Sequence, residues 1–267
     1  MRTSGKIFRT EDESNVRYRV SGRTAHVTMN RPRVMNALSK AMFRELRQAI
    51  QAAASDQRVA FISINGAGKA FSAGLDIVQV AGFNGKNEAR NFVYRLVKPF
   101  WDTFLSCDKI IISMVNGPAY GAGAEIALFS DIVIASPEAT FAFSGGRVGA
   151  LCCMAGILGP LTMNGRKVAE MNLTGHPVTA EEALRLGMIN SVVPSDQLDR
   201  AFTVLEEELT SVSPVSNSSY KRIQRSVIPK KSYETAYHEL YKTLTGPNFK
   251  IGAEAFTNKA APRFYEI

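Results

Sequence analysis

Polar and apolar positions along the chain follow two different periods. "VRYRVSG" and "RTAHVTMN" alternate with period two and predict two strands. "KAMFRELRQAIQAAAS" switches to a helical period, with Met42, Leu46 and Ile50 four residues apart and Ser39 placed to cap it. "VAFISIN" and "KIIISMVN" are nearly continuous apolar runs, as expected of parallel strands buried on both faces. Between them lie a glycine-bearing loop, "GAGKAFSAGLD", and a helical stretch, "NEARNFVYRLVKPFWDTFLS". The loop "GPAYGAG" then opens a helix, "AEIALFS", and "DIVIAS" and "ATFAF" predict two more strands. This rhythm of strand, loop, helix and strand predicts an α/β core with crossover helices.

Beyond about residue 155 the period is helical. "TAEEALRLGM" predicts a helix with Thr179 as N-cap, Glu182 at the capping-box position and Gly187 as terminator. "SDQLDRAFTVLEEELTSVS", "SNSSYKRIQRSVI" and "YETAYHELYKTLT" predict three more helices, and "GAEAFTNKAAPRFYEI" a short helix and a tail. The expected division is an α/β core over 1–195 and a helical part over 196–267.

Composition narrows the function. The residue fractions are those of a globular chain, and no apolar run is long enough to span a bilayer. "MRTSGKIFRTEDES" lacks the apolar region of a secretory signal, so a cytoplasmic location is expected. The three cysteines (107, 152 and 153) and three histidines (26, 176 and 238) show no metal-ligand or redox spacing, and no metal is expected. The net charge of +8 predicts attraction to polyanions. No Lys/Arg block or aromatic signature points to nucleic acid, so a ligand carrying phosphates fits the charge better.

Two loops share one build. "FSAGLD" (71–76) and "AYGAGAE" (119–125) each follow a strand, carry small residues and run into a helix. Such loops let the backbone approach a ligand closely and aim free N–H groups at it. A pair of them can supply the two donors of an oxyanion hole, although glycine spacing alone is equally compatible with packing.

"RPRVMNALS", "KAFSAGLDI", "VNGPAYGAGAEIALFSDIVIAS", "TFAF" and "LTGHPVTAEEALRLGMINSVVP" occur in this order, followed by "AFTNKAAPRF". Together they resemble the enoyl-CoA hydratase/isomerase, or crotonase, superfamily over nearly the whole chain. The resemblance implies an α/β spiral core of repeated ββα units and a helical C-terminal part that trimerises, giving a homotrimer or a dimer of trimers. It implies an acyl-CoA thioester as ligand and no cofactor beyond the coenzyme A of the substrate. It also implies that the thioester oxygen is bound by the backbone N–H groups of Leu75 and Ala122. Family members commonly carry glycine at the second position; alanine keeps the donor and adds a methyl group. For the coenzyme A, the matching residues are Arg33, Ala37, Lys69, Ala70 and Lys259.

Glu125 follows Ala122 by three residues, so a helix places both on one face. Its apolar surroundings predict burial and a raised pKa, useful for proton transfer. By resemblance it matches the first of the two catalytic glutamates of enoyl-CoA hydratases. The second follows an "F-G-x-P-E" strand end, and aligning "TFAFSGGRVG" puts Gly145 there; no acid lies between Glu138 and Glu170. Ser144, Gly145, Arg147, Cys152 and Cys153 lie in the segment expected to line the acyl pocket. Arg147 can bind a carboxylate-bearing acyl group and a protonated cysteine can donate, with packing as the simpler role for each.

A single acid leaves several reactions open. Double-bond migration needs one base, and decarboxylation needs a proton donor; hydration is better served by two acids. The single-acid isomerases of the family, however, keep the other glutamate. A catalytically silent acyl-CoA-binding protein is the reading from a different class, and nucleic-acid binding ranks below both.

Overall fold

The structure, a computed structural model, describes residues 14–265. The stretch 1–13, which carries most of the segment read above for a secretory signal, lies outside the described residues, as do 266 and 267.

The first half contains β1 (Val16–Ser21), β2 (Thr24–Met29), α1 (Lys40–Ser55), β3 (Phe61–Gly66), α2 (Ile77–Ala81), α3 (Lys86–Phe92), α4 (Lys98–Ser106) and β4 (Ile110–Val115). Next come β5 (Ala119–Tyr120), α5 (Ala122–Phe129), β6 (Ile132–Ala135), β7 (Thr140–Ala142), α6 (Ala155–Thr162), α7 (Gly165–Thr174), β8 (Val178–Thr179), α8 (Ala180–Arg185) and β9 (Ser191–Val192). The chain ends in α9 (Leu198–Thr210), α10 (Pro214–Ser226), α11 (Lys230–Leu244) and α12 (Pro247–Thr257).

Six strands form the main sheet in the order β1-β2-β3-β4-β6-β9. The β1–β2 pair is an antiparallel hairpin and every other pairing in this sheet is parallel. A small second sheet has the order β5-β7-β8. The apolar runs of β3 and β4 cover both faces of the sheet. On one face Ile62, Ile64, Ile111 and Val115 join the large core beneath α1, α4 and α5. On the other, Phe61, Ile110, Ile112 and Met114 pack against Leu198 and Phe202 of α9.

Local signals place the expected elements. Ser39 caps α1, its side chain accepting from Met42 N, and Thr179 caps α8 by accepting from Glu182 N. The Glu182 carboxylate pairs with Lys167. The stretch read as one helix over 87–106 is broken by a π turn at Val93–Val97. Pro99 has no N–H to offer the carbonyl four residues back, which removes one α-helical bond there. The helices α6 and α7 fall in the region read as helical but were not delimited there, and the two-residue strands β5, β8 and β9 are too short to show a period. The last two helices share the large core: Tyr237, Leu240 and Leu244 of α11 and Phe249 and Ala253 of α12 are buried in it.

Candidate active site

The two small-residue loops are joined directly. Ser72 N donates to Pro118 O and Tyr120 N donates to Ser72 O, a short parallel bridge between the loop after β3 and the loop after β4. Buried Asn36 braces the first loop, its amide donating to Ala67 O and Ala70 O. Approach is close enough to require glycine: a Cβ on Gly74, whose φ is +85°, would stand 2.6 Å from Tyr120 O and 3.1 Å from Ala122 N. A Cβ on Gly123 would stand 2.6 Å from Ser72 O.

Leu75 lies opposite Leu38 in a parallel bridge. Leu38 N donates to Gly74 O and Asp76 N donates to Leu38 O. Amides alternate in direction along an extended strand, so the Leu75 N–H points away from Leu38. Ala122 is the first residue of α5, where an N–H has no intrahelical acceptor. Among the described residues neither amide has a hydrogen-bond acceptor. Both residues line one cavity of about 610 Å³.

Glu125 lines the same cavity, one turn into α5 and 4% exposed. Its Oε1 accepts from Met154 N at 2.7 Å and Ala155 N at 3.0 Å, the start of α6. Those two amides hold the side chain and leave Oε2 to the cavity. Burial pushes the carboxyl up to about 7, against the opposing pull of the Ala155 and Met154 amides. The rest of the wall is largely apolar: Phe43 of α1, Val97 of the π turn, Trp101 of α4 and Leu240 of α11.

Arg33, Ala37, Ser144, Gly145, Arg147 and Cys152 line the cavity as well. Lys69, Ala70 and Lys259 do not: Lys69 and Lys259 are exposed, and buried Ala70 serves through its carbonyl on Asn36. Exposed Arg147 reaches across to α7, its Nε donating to Thr174 O. Burial pushes the Cys152 and Cys153 thiols well above their ordinary range, and the nearby Glu125 charge adds to this. Asp76 caps α2 through Gln79 N and pairs with Arg31, while Glu138 bonds Ser195 at the surface. Sequence reasoning missed the amides of Met154 and Ala155 because a backbone donor leaves no mark on residue type. It also missed Phe43, Trp101 and Leu240, whose spacing marks them only as core. Among the described residues no three His, Cys, Asp or Glu side chains form a metal cluster, and no helix is long and apolar enough to cross a membrane.

The family model described as enoyl-CoA hydratase/isomerase matches residues 20–266. Enoyl-CoA hydratase domain-containing protein 3, mitochondrial, of Rattus norvegicus is 32% identical, covering 89% of this chain and 80% of its own length. A trans-2-decenoyl-(acyl-carrier-protein) isomerase of Streptococcus mutans is 30% identical over 95% of this chain and 98% of its own. A carnitinyl-CoA hydratase structure from Mycobacterium avium superposes with a TM-score of 0.82 at 30% identity, covering 95% of this chain and 99% of that one. A match spanning almost the whole chain, on a fold with the same spiral α/β core, means that the chain belongs to the enoyl-CoA hydratase/isomerase family.

Proposed function

We propose that this chain moves the double bond of an unsaturated acyl thioester, using Glu125 as its only proton carrier. The observation that carries the reading is one buried carboxyl, poised near neutrality, beside two unengaged amides in an apolar cavity. The thioester oxygen would sit between Leu75 N–H and Ala122 N–H. For a 2-enoyl thioester, Glu125 Oε2 removes a proton from C4, and the electron pair runs through the diene to the thioester oxygen. The same carboxyl then returns the proton at C2, leaving the double bond between C3 and C4. The two amides meet charge that exists only in the dienolate, so they lower the barrier more than they tighten substrate binding. An isomerase among the relatives supports a bond-shifting reaction.

The coenzyme A phosphates fit Arg33 at the cavity and the exposed cations Lys69 and Lys259. Apolar side chains left exposed on and just past α10, among them Val215, Tyr220, Ile223 and Val227, support assembly into trimers. The function is tested by incubating the purified protein with 2-enoyl- and 3-enoyl-CoA and identifying products by mass spectrometry. Interconversion by the wild type and its loss in Glu125→Gln are expected. Acyl-CoA binding without turnover of either substrate overturns the reading and favours the silent binding protein.

A further inference from the structure

The place expected for a second acid is crowded by the chain itself. Gly145 lies in a 3-10 turn, and both of its backbone groups are bonded to the far end of the same loop. Its N–H donates to Cys152 Sγ at 3.3 Å and its carbonyl accepts from Ala150 N at 2.9 Å. A carbon added at position 145 would stand 3.0 Å from Cys152 N, 3.0 Å from Leu151 C and 3.2 Å from Cys152 Sγ. The loop cannot easily retreat, because α12 is packed against it. A Cβ on Gly149 would lie 2.3 Å from Asn248 O, and one on Gly252 2.4 Å from Val148 C.

Cys152 therefore stands where a side chain from 145 would enter the cavity. It is 4% exposed, lines that cavity and precedes by two residues the amide that holds Glu125. A thiol is a weak donor and a weak acceptor, and fixes a water poorly. Hydration needs such a water, since its hydroxyl must bond to C3 while its proton reaches C2. We infer that Cys152 sets the outcome of the reaction: its thiol lines the wall beside Glu125 where a water would have to be held, and holds it poorly, so that an enoyl thioester is isomerised there and not hydrated. This rests on Glu125 as the proton carrier proposed above.

Cys152→Ser tests it, because a hydroxyl keeps the shape and holds water. The ratio of 3-hydroxyacyl-CoA to shifted enoyl-CoA should rise about tenfold or more, as expected for one good hydrogen bond to water. Water arriving beside Glu125 should also lower the pH at which its carboxyl titrates, read by infrared difference spectra assigned through Glu125→Gln. Gly145→Glu, with Cys152 in place, should gain no hydration. Should Cys152→Ser leave both the product ratio and the titration unchanged, or Gly145→Glu alone hydrate, the inference falls. A wild type that turns over no enoyl thioester refutes the proposed reaction, and the titration of the serine variant still decides the role of Cys152.

Discussion

Glu125 and Lys221 are both almost wholly buried charges, yet the structure treats them in opposite ways. Lys221, 2% exposed, is paired: its Nζ contacts Asp131 Oδ2 and donates to Lys109 O, tying α10 to the ends of β4 and β6. Asp131 in turn accepts from Ile111 N at 2.7 Å, and Arg225 lies 3.9 Å away. Every group there is spent on another group of the fold. Among the described residues Glu125 has no cationic partner; two amides hold one oxygen, and the carboxyl lines a largely apolar cavity. Burial alone thus does not mark a functional charge. What separates the two is whether the surrounding fold completes the group or leaves part of it for a ligand.

The sharpest way to break this contrast is to remove the charge at each place. Glu125→Gln keeps the shape and the Met154 and Ala155 contacts but cannot take a proton. Its turnover of enoyl-CoA should drop by roughly a hundredfold to ten-thousandfold, measured as initial rate, with acyl-CoA binding retained. In the wild type the rate should rise with pH through about 7, because in the proposed reaction the ionised carboxylate is the form that accepts the proton.

Lys221→Ala should act on stability and not on chemistry. It strands Asp131 behind α10 and should cost roughly 3 kcal/mol in urea unfolding, with Arg225 and Ile111 N limiting the loss. Lys221→Met with Asp131→Asn should recover much of that, since no lone charge is then left inside. A double variant as unstable as Lys221→Ala would show that the pair is not what holds α10.

At Glu125 the sign reverses. Its folded-state pKa of about 7 lies above the ordinary glutamate value of 4.5, so folding favours the protonated form. The wild type therefore loses stability as pH rises from 4.5 through 7. Glu125→Gln has no such loss, and above pH 7 it should be the more stable protein, by about 3 kcal/mol. At pH 4 the two should melt together. A gap independent of pH would mean that the carboxyl is not held in a dry site. The smallest expected effect is local: Ser39→Ala removes the α1 cap and should cost about 1 kcal/mol without changing the pH profile.

Much of the fold was legible because its signals are local. The caps at Ser39 and Thr179 act within one turn of their own residues, and the buried runs of β3 and β4 need only apolar side chains on both faces. The π turn before Pro99 was not legible as such: proline marks a lost bond, but whether the helix ends or widens depends on what packs around it. At the site, Glu125 stood out because an acid in "AEIALF" conflicts with its neighbours. Met154 and Ala155 gave no such conflict, since any residue there offers the same amide.

The chain's own sequence determined the order and type of most elements, the two small-residue loops, the isolated acid and the family. It did so because period, capping and glycine act through neighbours a few residues apart. Tertiary structure alone decided that the two loops are zipped through Ser72 and Pro118, and that the start of α6 supplies the amides on Glu125. It alone decided that Leu151 and Cys152 crowd the space beside Gly145. Those outcomes depend on backbone atoms far apart along the chain meeting within 3 Å or so, a matter of packing that residue types do not encode.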